Sequence, residues 1–166
     1  MRIRIILLVA LTLLVQRMLG LPGLPLWTAE ILLPVAWIVA AALLQKERGW
    51  PYHALILGLA WDVLFEPVIG PGGIAWSAAC LVLYALAGLA ADRSPKMWVV
   101  FGAVGAAVIT LIHRAALVPL GFPFSLTPGH WFRVVLFTGV WCGLVGATLR
   151  LDFPSQWRAY RSRKLR

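Results

Sequence analysis

The sequence predicts an all-α, polytopic membrane protein: a six-transmembrane-helix bundle with both termini cytoplasmic. Three observations carry that expectation. Of the 166 residues 61% are hydrophobic and only 13% charged, where a soluble domain has about 25% charged residues, so the solvent that suits this chain is a bilayer. Apolar runs punctuated by glycine, proline and charge recur six times, and at about 20 residues per span they leave no room for a second domain. The basic residues, finally, cluster at alternate ends of those runs, the pattern that orients multi-pass chains.

The first run, about residues 3 to 19, follows Arg2 and Arg4. It resembles a signal peptide at its start, yet it continues without an A-x-A-like cleavage site and reads as a retained span. The second run covers about 28 to 44, the third 51 to 66, the fourth 74 to 91, the fifth 96 to 118 and the sixth 130 to 149. Three of these are short for a span, and tilt or local thinning of the bilayer absorbs such a mismatch. Residues 1–150 are therefore expected to form one transmembrane domain and 151–166 a short basic cytoplasmic tail.

The formal net charge of +9 raises the question of nucleic acid, and the placement of the charges answers it. Arg2, Arg4, Lys46, Arg48, Arg93, Lys96, Arg150, Arg158, Arg161, Arg163, Lys164 and Arg166 all fall at one set of helix ends, while the alternate loops, about 20 to 27, 67 to 73 and 119 to 129, hold no Lys or Arg. The positive-inside rule places that first set, and both termini, in the cytoplasm; an even number of spans is required. Trp27, Trp50, Trp98, Trp131 and Trp157 sit near predicted boundaries, where amphipathic rings favour the interface. Cys80 and Cys142 lie inside apolar runs and read as plain buried thiols, without the spacing of a disulfide framework or a metal site. No catalytic motif, phosphate loop or metal-ligand pattern is present, so no catalytic residue, metal or cofactor is expected.

The informative residues are those that cost energy in hydrocarbon, about 2.5–3.5 kcal/mol for a charge near a helix centre on insertion scales. Arg17, Asp62, Glu66, His113, Arg114 and Arg133 stand out, with Glu30 at the start of the second run. At about 1.5 Å per residue, Asp62 lies about 16 Å and Glu66 about 22 Å along the third helix from Pro51, and Arg114 about 27 Å along the fifth from Lys96. A single mixed-charge layer in the outer third of the bundle is the expectation, with Asp62 deepest. Asp62 and Glu66 share a helix face at i, i+4, so the pair needs a cation or a retained proton. Three roles are open to this layer: gluing the helices together, recognising a partner's membrane segment, or carrying protons or ions. Gly139-x-x-x-Gly143, extended to Ala147, forms a small-residue stripe on the sixth helix, and Gly102-x-x-x-Ala106 repeats it on the fifth; such stripes allow close helix packing within the chain or with another chain.

One stretch combines these features: Gly58-Leu59-Ala60-Trp61-Asp62-Val63-Leu64, a turn through Ile69-Gly70-Pro71-Gly72-Gly73, then Ser77 to Tyr84 and Leu89. It resembles the MreD family of rod-shape-determining membrane proteins, in which a G-L-x-x-D-x-L-like stretch precedes a glycine-containing turn and another helix. Length, six predicted spans and a short basic C-terminus extend the resemblance over essentially the whole chain. It implies a non-enzymatic scaffold in the bacterial inner membrane that binds the single-span protein MreC. Through MreC it would join the cell elongation machinery: the MreB filament, a RodA-type glycan polymerase and a class B penicillin-binding protein, which together maintain rod shape and position peptidoglycan synthesis. Gly58 and Asp62 carry over as motif positions, whereas Glu66, His113, Arg114, Arg17 and Arg133 are singled out by burial cost alone. The alternative is the substrate-binding subunit of an energy-coupling-factor vitamin transporter, a family that suits six short helices and would share this architecture. A small proton-coupled carrier is the third reading, and the chain lacks the internal repeat common in such carriers.

Overall fold

The computed structural model describes residues 2–21, 25–44, 50–89, 94–124 and 126–150. Among them every regular element is helical and no strand occurs: α1 (Arg2–Leu19), α2 (Leu26–Ala29), α3 (Val35–Leu44), α4 (Trp50–Phe65), α5 (Pro71–Leu89), α6 (Pro95–Leu117) and α7 (Pro128–Arg150), with a 3-10 turn at Val118–Leu120. Three helical segments are long and apolar enough to cross a membrane: Pro71–Gly88, Pro95–Leu120 and Pro128–Leu149. Each begins at a proline, a residue whose fixed φ and missing N–H suit the first turn. The tail, with Trp157 and its basic residues, lies outside the described residues, as do Lys46, Arg48 and Arg93.

Helices α4, α5, α6 and α7 pack in sequence, each on the next, and α3 lies across α5, α6 and α7. The ten residues of α3 are almost all apolar, and Val35, Ile38, Val39 and Ala42 are fully buried. A helix that is hydrophobic all round belongs in the middle of a bundle. Trp76, Ala79, Cys80 and Leu83 of α5 and Phe101 and Ala106 of α6 complete the core around it. The exterior is the reverse of a soluble surface: Leu7, Leu11, Leu14 and Met18 of α1 and Val140 and Leu144 of α7 are exposed. Contiguous apolar surface of this kind suits hydrocarbon or another helix.

The predicted second span is broken. The chain runs as α2, a non-helical segment at 30–34, then α3. Pro34 accounts for the break: it lacks the N–H for a helical bond to the turn before it, and proline disfavours helical geometry at the residue it follows. Counting apolar residues passes over this effect. The freed backbone groups are met by side chains from distant helices. Leu33 N–H donates to Gln16 Oε1 of α1 at 2.8 Å, Leu32 N–H donates to Thr138 Oγ1 of α7 at 3.0 Å, and Trp141 Nε1–H donates to the Leu33 carbonyl at 3.2 Å. Gln16 and Thr138 are accordingly buried. Such satisfaction by neighbouring helices is the condition for a non-helical segment inside a membrane bundle. Thr138→Val, which keeps the shape and removes the acceptor, is expected to cost about 1–3 kcal/mol through the stranded Leu32 N–H. A lowered unfolding midpoint of the purified chain checks this, and an unchanged midpoint refutes it.

The small-residue stripe packs inside the chain. A methyl group on Gly139 would stand 3.0 Å from the Val99 carbonyl oxygen, on Gly143 against the Val99 side chain, and on Gly146 against the Trp98 indole. On α6, a Cβ at Gly102 would meet Cys142 at 2.6 Å. Gly146 also belongs to the close seam, seven residues on from Gly139 and so within about 20° of the same helix face. Trp98, in the first turn of α6, is 3% exposed, its ring seated over Gly146. Cys80 and Cys142 are buried free thiols.

Candidate functional site

Asp62 stands on the last turn but one of α4 and is fully buried. Its carboxylate reaches over the turn that leads into α5. Gly70 N–H donates to Oδ2 at 2.8 Å, and Gly72 N–H donates to Oδ1 at 3.0 Å and Oδ2 at 2.9 Å. The side chain therefore caps the N-terminus of α5 from the preceding helix, and the charge meets the positive end of the α5 dipole. Charge-assisted bonds of this kind offset the desolvation that a buried carboxylate suffers. Gly70, at φ 128°, holds a conformation closed to residues with a Cβ. Gly72 presses directly on the carboxylate, and a Cβ on Gly58 would collide with the Gly72 carbonyl and with Gly73 Cα at 2.8 Å. Gly58, Asp62, Gly70 and Gly72 are one joint.

His113 of α6 reaches the same carboxylate. Its Nε2 is 3.7 Å from Asp62 Oδ1 and 3.9 Å from Glu66 Oε1. Neither distance is a hydrogen bond, and Nε2 is buried without a hydrogen-bond partner. Glu66, immediately after α4, keeps 25% of its side chain exposed.

A second group forms at the start of α7. Glu30, 7% exposed, accepts from Arg133 Nε at 2.9 Å on both oxygens. Arg133 Nη2 stands 2.9 Å from Oε1 and His130 Nδ1 3.1 Å from the same atom. Trp131 Nε1–H donates to Thr110 Oγ1 at 2.9 Å, tying this turn of α7 to α6.

The single mixed-charge layer expected from the sequence is thus two groups, with no ion pair between them among the described residues. Asp62, Glu66 and His113 come together; Glu30 and Arg133 come together, joined by His130, which the sequence reading passed over. Its signal was the i, i+3 spacing of His130 and Arg133 in one turn, facing an acid that needs neutralising. Arg17 and Arg114 join neither group. The Arg17 guanidinium lies 5.7 Å from the centre of the Phe65 ring, itself stacked on Trp61 at 4.3 Å. Arg114 is half-buried with no ion pair among the described residues. It is one residue from His113, about 100° round the helix, so only one of the two can face Asp62.

Against models of protein families, curated proteins and solved structures, the chain finds no match.

Proposed function

We propose that the chain is a non-enzymatic scaffold of the bacterial cell elongation machinery, similar in role to the MreD family, that binds an MreC-like single-span protein. In this reading it lies in the inner membrane, crosses it six times and keeps both termini in the cytoplasm. The three shorter apolar helices then span with help from tilt, thinning and the α2–α3 break. Its contribution is positional: a shaped helical surface holds MreC, and through it the filament and the wall-synthesis enzymes, in register.

The observation that carries this reading is the joint between α4 and α5. The residues of the MreD-like stretch, Gly58, Asp62 and the glycines of the following turn, are committed to each other through short backbone bonds and close approach. A buried carboxylate spent on backbone N–H groups is a device for one fixed conformation, as a scaffold requires; a proton carrier would leave it free to exchange partners.

Affinity purification of the tagged chain from its native membrane in mild detergent, with mass spectrometry of proteins and small molecules, tests the proposal. Recovery of an MreC-like single-span protein with wall-synthesis enzymes is the expected result. A nucleotide-binding ATPase module or a stoichiometric vitamin in its place would overturn the scaffold role in favour of a transporter subunit.

A further inference from the structure

The two charged groups differ in one respect. Glu30 is neutralised within the chain by the bidentate Arg133, with His130 beside it. Asp62 and Glu66 have no such cation: among the described residues the only basic side chain within ion-pair range of either is His113, since Arg17 lies over Phe65. Two carboxylates one helical turn apart in a bundle of low polarity repel each other and favour a cation between them.

The acceptors are already arranged for one. Asp62 Oδ1 takes a single hydrogen bond, from Gly72, and a carboxylate oxygen has room for a second. Glu66 Oε1 has no hydrogen-bond donor among the described residues, and it lies at the open side of the group, a quarter exposed. His113, 8% exposed, turns a buried and unpartnered Nε2 toward both. With its proton on Nδ1, that nitrogen is an acceptor. Nε2 lies 3.7 Å from one carboxylate oxygen and 3.9 Å from the other, so a donor nitrogen seated against Nε2 can bond both to it and to a facing carboxylate oxygen at ordinary charge-assisted distances. Three acceptors match the three N–H donors of a primary ammonium group. No set of three His, Cys, Asp or Glu among the described residues has the geometry of a metal site.

We infer that Asp62 Oδ1, Glu66 Oε1 and His113 Nε2 form a receptor for a primary ammonium group, supplied by a lysine of the partner's membrane-spanning helix. The lysine source rests on the scaffold reading above and on charge, since among the described residues no lysine or arginine lies within ion-pair range of either carboxylate. Val63, Ile69 and Ile74, neighbours of the pair in sequence, are 65%, 65% and 59% exposed, apolar surface that suits a membrane helix.

The test uses the full chain in lipid nanodiscs with nitrogen-15 labelled histidine, the His113 signal being assigned by its loss in His113→Gln. n-Butylammonium is the probe and tetramethylammonium, which carries the same charge without an N–H donor, the control. Saturable movement of the His113 Nε2 signal with n-butylammonium alone is the expected result, weakened about tenfold or more in Glu66→Gln, as follows from losing one charge-assisted bond. Equal response to the two cations, or none to either, overturns the receptor. Glu66→Gln is a conservative change at a partly exposed position, so folding of the variant is expected and is verified by the unchanged His130 signal. Partner capture then separates the two proposals. Loss of the single-span protein with Glu66→Gln supports the lysine source. Capture as in the wild type overturns that source and leaves the scaffold standing. Failure of the wild-type chain to capture any such protein, with n-butylammonium still bound, overturns the scaffold and makes the site one for a free amine.

Discussion

Replacing Asp62 by alanine is expected to destabilise the protein by about 2–4 kcal/mol, because the buried Gly72 N–H and the part-buried Gly70 N–H lose their only side-chain acceptor and each unsatisfied buried group costs about 1–3 kcal/mol. The loss of the charge at the α5 N-terminus adds to this. Asp62→Asn retains one carbonyl oxygen but turns an NH2 group toward a backbone N–H, so its expected cost is about half. Reversible unfolding of the purified full chain by a denaturing detergent, with both variants beside the wild type, measures the difference. The order wild type, Asn, Ala is the expected one. Equal stability of all three would mean that the bonds to Gly70 and Gly72 do not hold the joint. The expected injury lies first in the bundle, and the loss of Asp62 Oδ1 as an ammonium acceptor adds to any weakening of partner binding.

Gly58→Ala is expected to cost about 2–3 kcal/mol by overpacking. The methyl group would enter the Gly72 carbonyl, and backbone on the facing side cannot swing away as a flexible side chain does. Gly88→Ala in α5 is its control: nothing lies within 4 Å of an added Cβ there, and alanine is favoured over glycine in a helix by about 0.5–1 kcal/mol. The two substitutions are chemically identical and should move stability in opposite directions in the same unfolding assay. Movement in the same direction would show that the α4–α5 contact is looser than its geometry.

The helical class and the approximate bounds of five of the six runs were legible because apolar periodicity and length are what make a membrane helix, and both are written locally. The second run was misjudged for a different reason. Its hydropathy is that of a span, but Pro34 acts through one missing N–H and one steric clash, and hydropathy has no term for either. At the site, counting along each helix brings Glu66 and the His113–Arg114 pair to similar heights, and it places Glu30 and Arg133 together at the starts of their runs. Which side of a helix each residue faces depends on packing angles between helices, so Arg114 could not be told from its neighbour His113 by depth. Gly146 lies seven residues on from Gly139, a step that an i, i+4 rhythm through Gly143 passes by. The role of Asp62 as a cap depends on a turn that folds back eight to ten residues later, and the glycines at 70 and 72 were its only trace.

The break at 30–34 also bears on the order in which the chain can be made. Its partners come from both ends of the sequence: Gln16 is synthesised before the break, whereas Thr138 and Trp141 follow more than a hundred residues later. Until α7 is released into the bilayer, the Leu32 amide has no partner from that helix, and the short α3 lacks part of the wall that encloses it. In order of synthesis, the second segment therefore stays incompletely bonded through α4, α5 and α6. The last of the described helices thus completes the bonding of the second segment, and a change in α7 reaches residues more than a hundred positions earlier.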